Sequence, residues 1–216
     1  VALIYLLKEV RTKPPTVAKS GFFGFFGYWK TGGQEYRNLV RGLLLFALAN
    51  SSDAFLLLQA KAITGSDTQT ILAYLLYNSI YAASAYPMGI LADRWGFRRT
   101  LACGIFLFVV VYTGFAFNTS ISGVFGLFAI YGLYAAATEG ISKAWISSLV
   151  PLHQTGTAIG LYTSCQSTCA LLSSTIAGLI WTVSGAGATF LTGAALAAIA
   201  MIRLAAFSAD RNERVI

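Results

Sequence analysis

Six long apolar stretches separated by short polar breaks dominate this chain: Val40 to Ala62, Thr70 to Ala92, Thr100 to Phe117, Ser122 to Leu149, Gly156 to Val183 and Gly187 to Phe207. A bilayer core of ~30 Å takes about 20 residues of helix, so each stretch has the reach or nearly the reach of one crossing. None is amphipathic enough to lie on a surface. Inside lipid the backbone has to bond to itself, so the stretches predict helices. The breaks carry turn chemistry: Gly65-Ser66-Asp67, Asn118-Thr119-Ser120, Pro151 and Gly185-Ala186-Gly187. Pro151 is expected to end the fourth span. The pattern predicts an all-α membrane protein with six transmembrane helices.

Composition strengthens that reading. The 216 residues are 56% hydrophobic and 11% charged, against roughly 25% charged in a soluble chain. Too few charges remain to build a water-facing surface. The net charge of +7 does not point to nucleic acid, because the basic residues sit between apolar stretches instead of on one polar face. They read as topology signals. Lys8, Arg11, Lys13, Lys19, Lys30, Arg37 and Arg41 precede or open the first span. Arg94, Arg98 and Arg99 lie between the second and third, and Arg203, Arg211 and Arg214 lie at the end. The loops on the other side offer only Lys61, while the loop around His153 carries no Lys or Arg. Both ends of the chain are therefore expected on the cytoplasmic side.

Three further features are read structurally. Cys103, Cys165 and Cys169 fall within apolar stretches, with no His or further Cys nearby, and are expected to pack, with no metal bound. The segment Gly21 to Lys30, GFFGFFGYWK, interleaves aromatics with glycine and suits either the headgroup level or a docking surface for a membrane subunit. The stub Val1 to Leu7 is too short to span and reads as the end of a preceding helix. The expected domains are residues 1–39, that helix end plus a basic-aromatic linker; residues 40–207, the six-helix unit; and residues 208–216, a cytoplasmic tail.

The most specific string is GILADRWGFRRTL, Gly89 to Leu101. A span ends, turns within a few residues and restarts behind arginines that can hold anionic headgroups or carboxylates, while Asp93 can cap or face the next helix. Gly89, Leu91, Asp93, Arg94, Gly96, Arg98 and Arg99 match a signature between the second and third spans of each half of major facilitator superfamily transporters, which this chain resembles. Phe97 stands where a basic residue is common. Ala137 to Tyr162 is similar to the tenth and eleventh helix region of bacterial permeases of that superfamily, and Asn50 to Ala60 to the seventh. Gln154-Thr155-Gly156 departs from the pattern, which usually has Arg before the Gly. The resemblance implies a C-terminal half of six helices in two three-helix repeats, located in a bacterial cytoplasmic membrane.

Ionisable residues inside the spans are the functional candidates, because an unpaired charge in hydrocarbon costs ~2.5–3.5 kcal/mol or more. Glu139 and Lys143 stand at i and i+4, able to pair along one helix face. Glu139 lies ~18 Å above Pro151 and Asp53 ~20 Å above Val40, each near mid-membrane. Asn50 lies a turn from Asp53. Asp53 and the Glu139/Lys143 pair fall on the lead helix of each triplet, and the resemblance implies that those helices line a central cavity. The expected pathway residues are Asn50, Asp53, Asn78, Glu139 and Lys143, with Gln166 either lining the cavity or bonding between helices. The expected cytoplasmic turn is Gly89, Asp93, Arg94, Gly96, Arg98 and Arg99. Gly156 and Gly160 form a G-x-x-x-G pattern expected at a close helix contact.

No nucleophile and base pair, metal spacing or phosphate-cradling loop is present, so no enzyme chemistry and no cofactor are expected. The favoured function is secondary transport of a small solute by alternating access, with a second six-helix half as partner. The other reading is a non-transporting subunit or assembly factor packed against a larger membrane complex.

Overall fold

The computed structural model describes residues 27–212, with side chains described as far as residue 204. The Val1 stub and most of the aromatic segment lie outside the described residues. Every regular element among the described residues is helical. A short α1 (Tyr28–Thr31) leads into α2 (Gln34–Ala49), α3 (Ala54–Thr64), α4 (Asp67–Trp95), α5 (Phe97–Phe117) and α6 (Ile121–Ser148). A 3₁₀ turn at Leu152–Gln154 opens α7 (Thr155–Asn212).

Among the described residues, four helical stretches are long and apolar enough to cross a bilayer: Gln34–Thr64, Phe97–Phe117, Ile121–Ser148 and Leu152–Leu204. The first is not the continuous helix its hydropathy predicts. It stops at Asn50 and restarts at Ala54, and within the break one side chain, Ser52, competes for a backbone hydrogen bond. Ser52 Oγ accepts from the Ala54 amide at 3.3 Å. The last stretch, 53 residues, would reach roughly 80 Å if straight. It breaks at Gly185, whose φ of 82° and ψ of 176° belong to a region open essentially to glycine alone. Two arms result, joined by a corner where a loop was expected. Helix α4 is 29 residues long but less apolar, and it runs without interruption through Pro87.

Caps account for the other boundaries. Ser66 and Ser120 accept from the amides of Gln69 and Gly123 at the starts of α4 and α6. Gly65, at a φ of 65°, closes α3 in the left-handed conformation. Pro151 follows the end of α6, as its missing N–H requires.

Helix α6 packs against α4 and α5, while α7 packs against α2 and α5. Aromatic rings form the centre: Phe108 stacks on Tyr112, and Phe115 meets both Phe128 and Phe190. Small residues let the backbones approach. A Cβ on Gly132 would lie 2.8 Å from the Tyr77 carbonyl, and one on Gly193 would meet the Tyr112 ring at 2.8 Å. The predicted G-x-x-x-G contact is absent, for Gly156 and Gly160 have open space around them among the described residues. Apolar residues also cover the outside, with Val183 at 85% and Ile71 at 65% exposure, as expected where the solvent is hydrocarbon.

Candidate functional site

The break between α2 and α3 gathers polar groups from three other helices. Tyr131 on α6 donates its hydroxyl to Asp53 Oδ1 at 2.7 Å. Asn50 donates from Nδ2 to the Tyr134 hydroxyl at 3.0 Å. Ser174 on the first arm of α7 accepts from the Ser52 amide at 3.1 Å, and Ser51 shares a 3.3 Å hydrogen bond with Tyr112 on α5. These contacts hold a locally unwound segment that a continuous helix would have satisfied internally. One valence remains open: the buried Asn50 Oδ1 has no partner among the described residues.

On one side of this break lies a cavity of about 130 Å³ between α2, α6 and the first arm of α7. Asn50, Tyr134, Thr138, Glu139, Lys143 and Gln166 contribute to its wall. The polar set arises from helical spacing, since Tyr134, Thr138 and Ser142 repeat every four residues along one face of α6.

Glu139 and Lys143 both reach the cavity, but they do not form the ion pair that their spacing allows. Instead Tyr81 on α4 donates its hydroxyl to Glu139 Oε2 at 2.9 Å, drawing the carboxylate sideways. Lys143 is exposed and has no hydrogen-bond or ion-pair partner among the described residues.

The other candidates separate. Asn78 is exposed and donates to the Tyr74 carbonyl of its own helix at 2.8 Å, and it does not reach the cavity. Asp93 does not cap α5: the cap position is Gly96, without a side-chain bond, and Asp93 is exposed with no partner among the described residues. Gly96, at a φ of 89°, makes the turn between α4 and α5. Gly89 and Arg94 lie in α4 before that turn, and Arg98 and Arg99 in the first turn of α5 after it. The three cysteines are free, Cys165 and Cys169 half-buried and Cys103 exposed. No group of His, Cys, Asp and Glu among the described residues could hold a metal ion.

The tyrosines were missed by sequence reasoning. Tyr81, Tyr131 and Tyr134 lie well inside their spans, where a phenol needs a partner. Their distance from the helix ends was the available signal.

Apolar outer faces, helices of membrane length and a polar cleft inside the bundle define an integral, multi-pass membrane protein. The chain belongs to the Major Facilitator Superfamily, which it matches over residues 39–215. It is 35% identical over 166 residues to an uncharacterized transporter of this type from Methanocaldococcus jannaschii, covering 74% of this chain and 42% of the relative. It is 32% identical over 87 residues to a D-galactonate transporter of Escherichia coli, covering 40% of this chain and 20% of that protein. The chain thus spans less than half the length of these curated relatives. No solved structure matches it. Its family and relatives are transporters.

Proposed function

We propose that this chain is the C-terminal half of a secondary transporter that moves a small anionic solute across a bacterial cytoplasmic membrane by alternating access. In this reading six segments cross the membrane as two three-helix repeats, with both ends cytoplasmic. The broken α2–α3 is the first crossing, α4 to α6 are the next three, and the arms of α7 are the last two. Asp53 then lies on the lead crossing of the first repeat, and Glu139 and Lys143 on the lead crossing of the second. A second six-helix half would close the cavity from the opposite side.

The observation that carries the proposal is a pair of carboxylates engaged by tyrosines, Glu139 on the wall of the polar cleft and Asp53 at the helix break. Asp53 takes the Tyr131 hydroxyl and Glu139 takes the Tyr81 hydroxyl, so each carboxylate is held by a donor from another crossing. An ionised carboxylate accepts this hydrogen bond. Once protonated it becomes a donor as well, and the phenol is free to turn toward a different acceptor. Proton binding at Asp53 would thereby loosen the tie between α6 and the broken crossing, which links protonation to helix movement. Asn50 and Gln166 would orient the solute.

Lys143 favours an anionic solute. It stands on the cleft wall without a counter-ion among the described residues, and a solute carboxylate would supply the missing charge. The D-galactonate transporter among the relatives carries a solute of that kind. Asn78, Asp93 and the arginine turn serve movement between the halves in this reading and make no contact with the solute.

The test uses the complete membrane protein containing this chain, reconstituted in liposomes with a pH-sensitive dye inside. External D-galactonate is expected to produce a pH change that the Asp53→Asn variant lacks. A full response from the variant would overturn the role of Asp53. No response to D-galactonate or any other organic anion from the unaltered protein would favour a non-transporting subunit.

A further inference from the structure

Glu139 and Lys143 both line the polar cavity, four residues apart on α6, and they do not pair. A Glu four positions before a Lys is the favoured order for an ion pair along a helix, so something other than spacing keeps them apart. The cause lies on α4. Gly132 brings α6 against the Tyr77 carbonyl and Ile80 of α4. One turn further along α4, the Tyr81 hydroxyl donates to Glu139 Oε2 at 2.9 Å. The Tyr81 ring is itself stacked on Tyr77, with centroids 6.4 Å apart and planes 11° from parallel. Tyr77 is buried and leans on Tyr131 at 5.0 Å, so the phenol is held from behind. A hydrogen bond to an ionised carboxylate is about twice as strong as a neutral one, whereas an exposed ion pair contributes little. Tyr81 therefore wins Glu139, and Lys143 is left without a partner among the described residues.

We infer, resting on the anionic solute proposed above, that Tyr81 is a positioning residue of the cleft: by holding Glu139 aside it keeps the Lys143 ammonium available to the solute. Without the phenol, Glu139 is free to turn along its own helix and neutralise Lys143. A solute carboxylate then has to displace a carboxylate already in place. Tyr81 does not line the cavity, so it acts through Glu139 and not by touching the solute.

The experiment compares three variants of the complete membrane protein in detergent at low ionic strength. Tyr81→Phe keeps the stacked ring and loses the hydroxyl, Glu139→Gln removes the competing charge, and the third variant combines them. The first readout needs no solute: acetylation of Lys143 by N-hydroxysuccinimide acetate, followed by peptide mass spectrometry. A paired ammonium holds its proton more tightly and reacts more slowly. Tyr81→Phe is expected to slow acetylation of Lys143 by about two- to threefold, the worth of one such ion pair, and the double variant to restore it. Lys61 of α3, paired with Asp67, should react equally in all variants. The second readout is calorimetric titration with D-galactonate, in which Tyr81→Phe should bind about two- to threefold more weakly and the double variant as tightly as the unaltered protein. Thermal melting checks that each variant is folded. Unchanged acetylation of Lys143 in Tyr81→Phe, or a loss that persists in the double variant, would overturn the role of Tyr81 and leave it a packing residue. The expected acetylation pattern with no binding of D-galactonate or another organic anion would uphold the hold on Lys143 and overturn the anionic solute.

Discussion

Tyr131 and Asp53, on different crossings and 78 positions apart in the chain, are joined by a 2.7 Å hydrogen bond from phenol to carboxylate. The bond spans the point where the first of the long apolar stretches is unwound, so it fastens that interruption to α6. Removing the donor should disturb both the charge and the break. Tyr131→Phe is expected to lower stability by about 1–3 kcal/mol, because it leaves a half-buried carboxylate short of a partner. Thermal melting in detergent measures this, and an unchanged midpoint would show that the bond does not tie the crossings together.

Lys143 gives a prediction about the solute. Lys143→Gln should raise the KM for an organic anion by about tenfold, the effect of losing one charge-assisted hydrogen bond. A neutral solute of the same size, if carried at all, should be unaffected. Uptake assayed over a concentration series separates the two, and an equal rise for both solutes would argue against an anion contact.

The corner at Gly185 is a stability prediction. A side chain at a φ of 82° and a ψ of 176° is strained whatever space surrounds it. Gly185→Ala should therefore cost about 1–3 kcal/mol with no change in solute specificity. By contrast Gly160→Ala, within a continuous helix and with open space for a Cβ, should be neutral or slightly stabilising. Melting both variants side by side reads the difference.

Close packing yields a third structural test. Gly132 lies against the Tyr77 carbonyl, and a backbone atom cannot swing aside as a side chain can. Gly132→Leu is expected to separate α4 from α6 and abolish accumulation of folded protein, whereas Gly126→Leu, with nothing nearby, should be tolerated. Fluorescence-detected size exclusion would distinguish them, and normal behaviour of Gly132→Leu would show that the two helices do not need this approach.

How much of this was legible beforehand depends on what averaging hides. Hydropathy read as runs found the apolar segments, because their signal is additive over about 20 residues. It passed over Asn50-Ser51-Ser52-Asp53, four polar residues at the break of the first crossing, three of which bond to tyrosines of other helices while Ser52 bonds the local backbone. Glu139 and Lys143 were recognisable as rare intramembrane charges, but helical spacing measures only what one helix can do. The Tyr81 hydroxyl arrives from another helix and wins the carboxylate. The same limit explains the G-x-x-x-G pattern, which marks where two backbones can meet without saying that a partner is there. Gly104, Gly132 and Gly193 do meet one, and nothing in their spacing distinguished them.

The central claim is that Asp53 couples solute movement to protons, and the most direct measurement compares two modes of transport by the Asp53→Asn protein in liposomes. Asparagine keeps the shape and cannot take up a proton. The account predicts that exchange of labelled for unlabelled solute persists while accumulation driven by a proton gradient is lost. Accumulation at the level of the unaltered protein would contradict it.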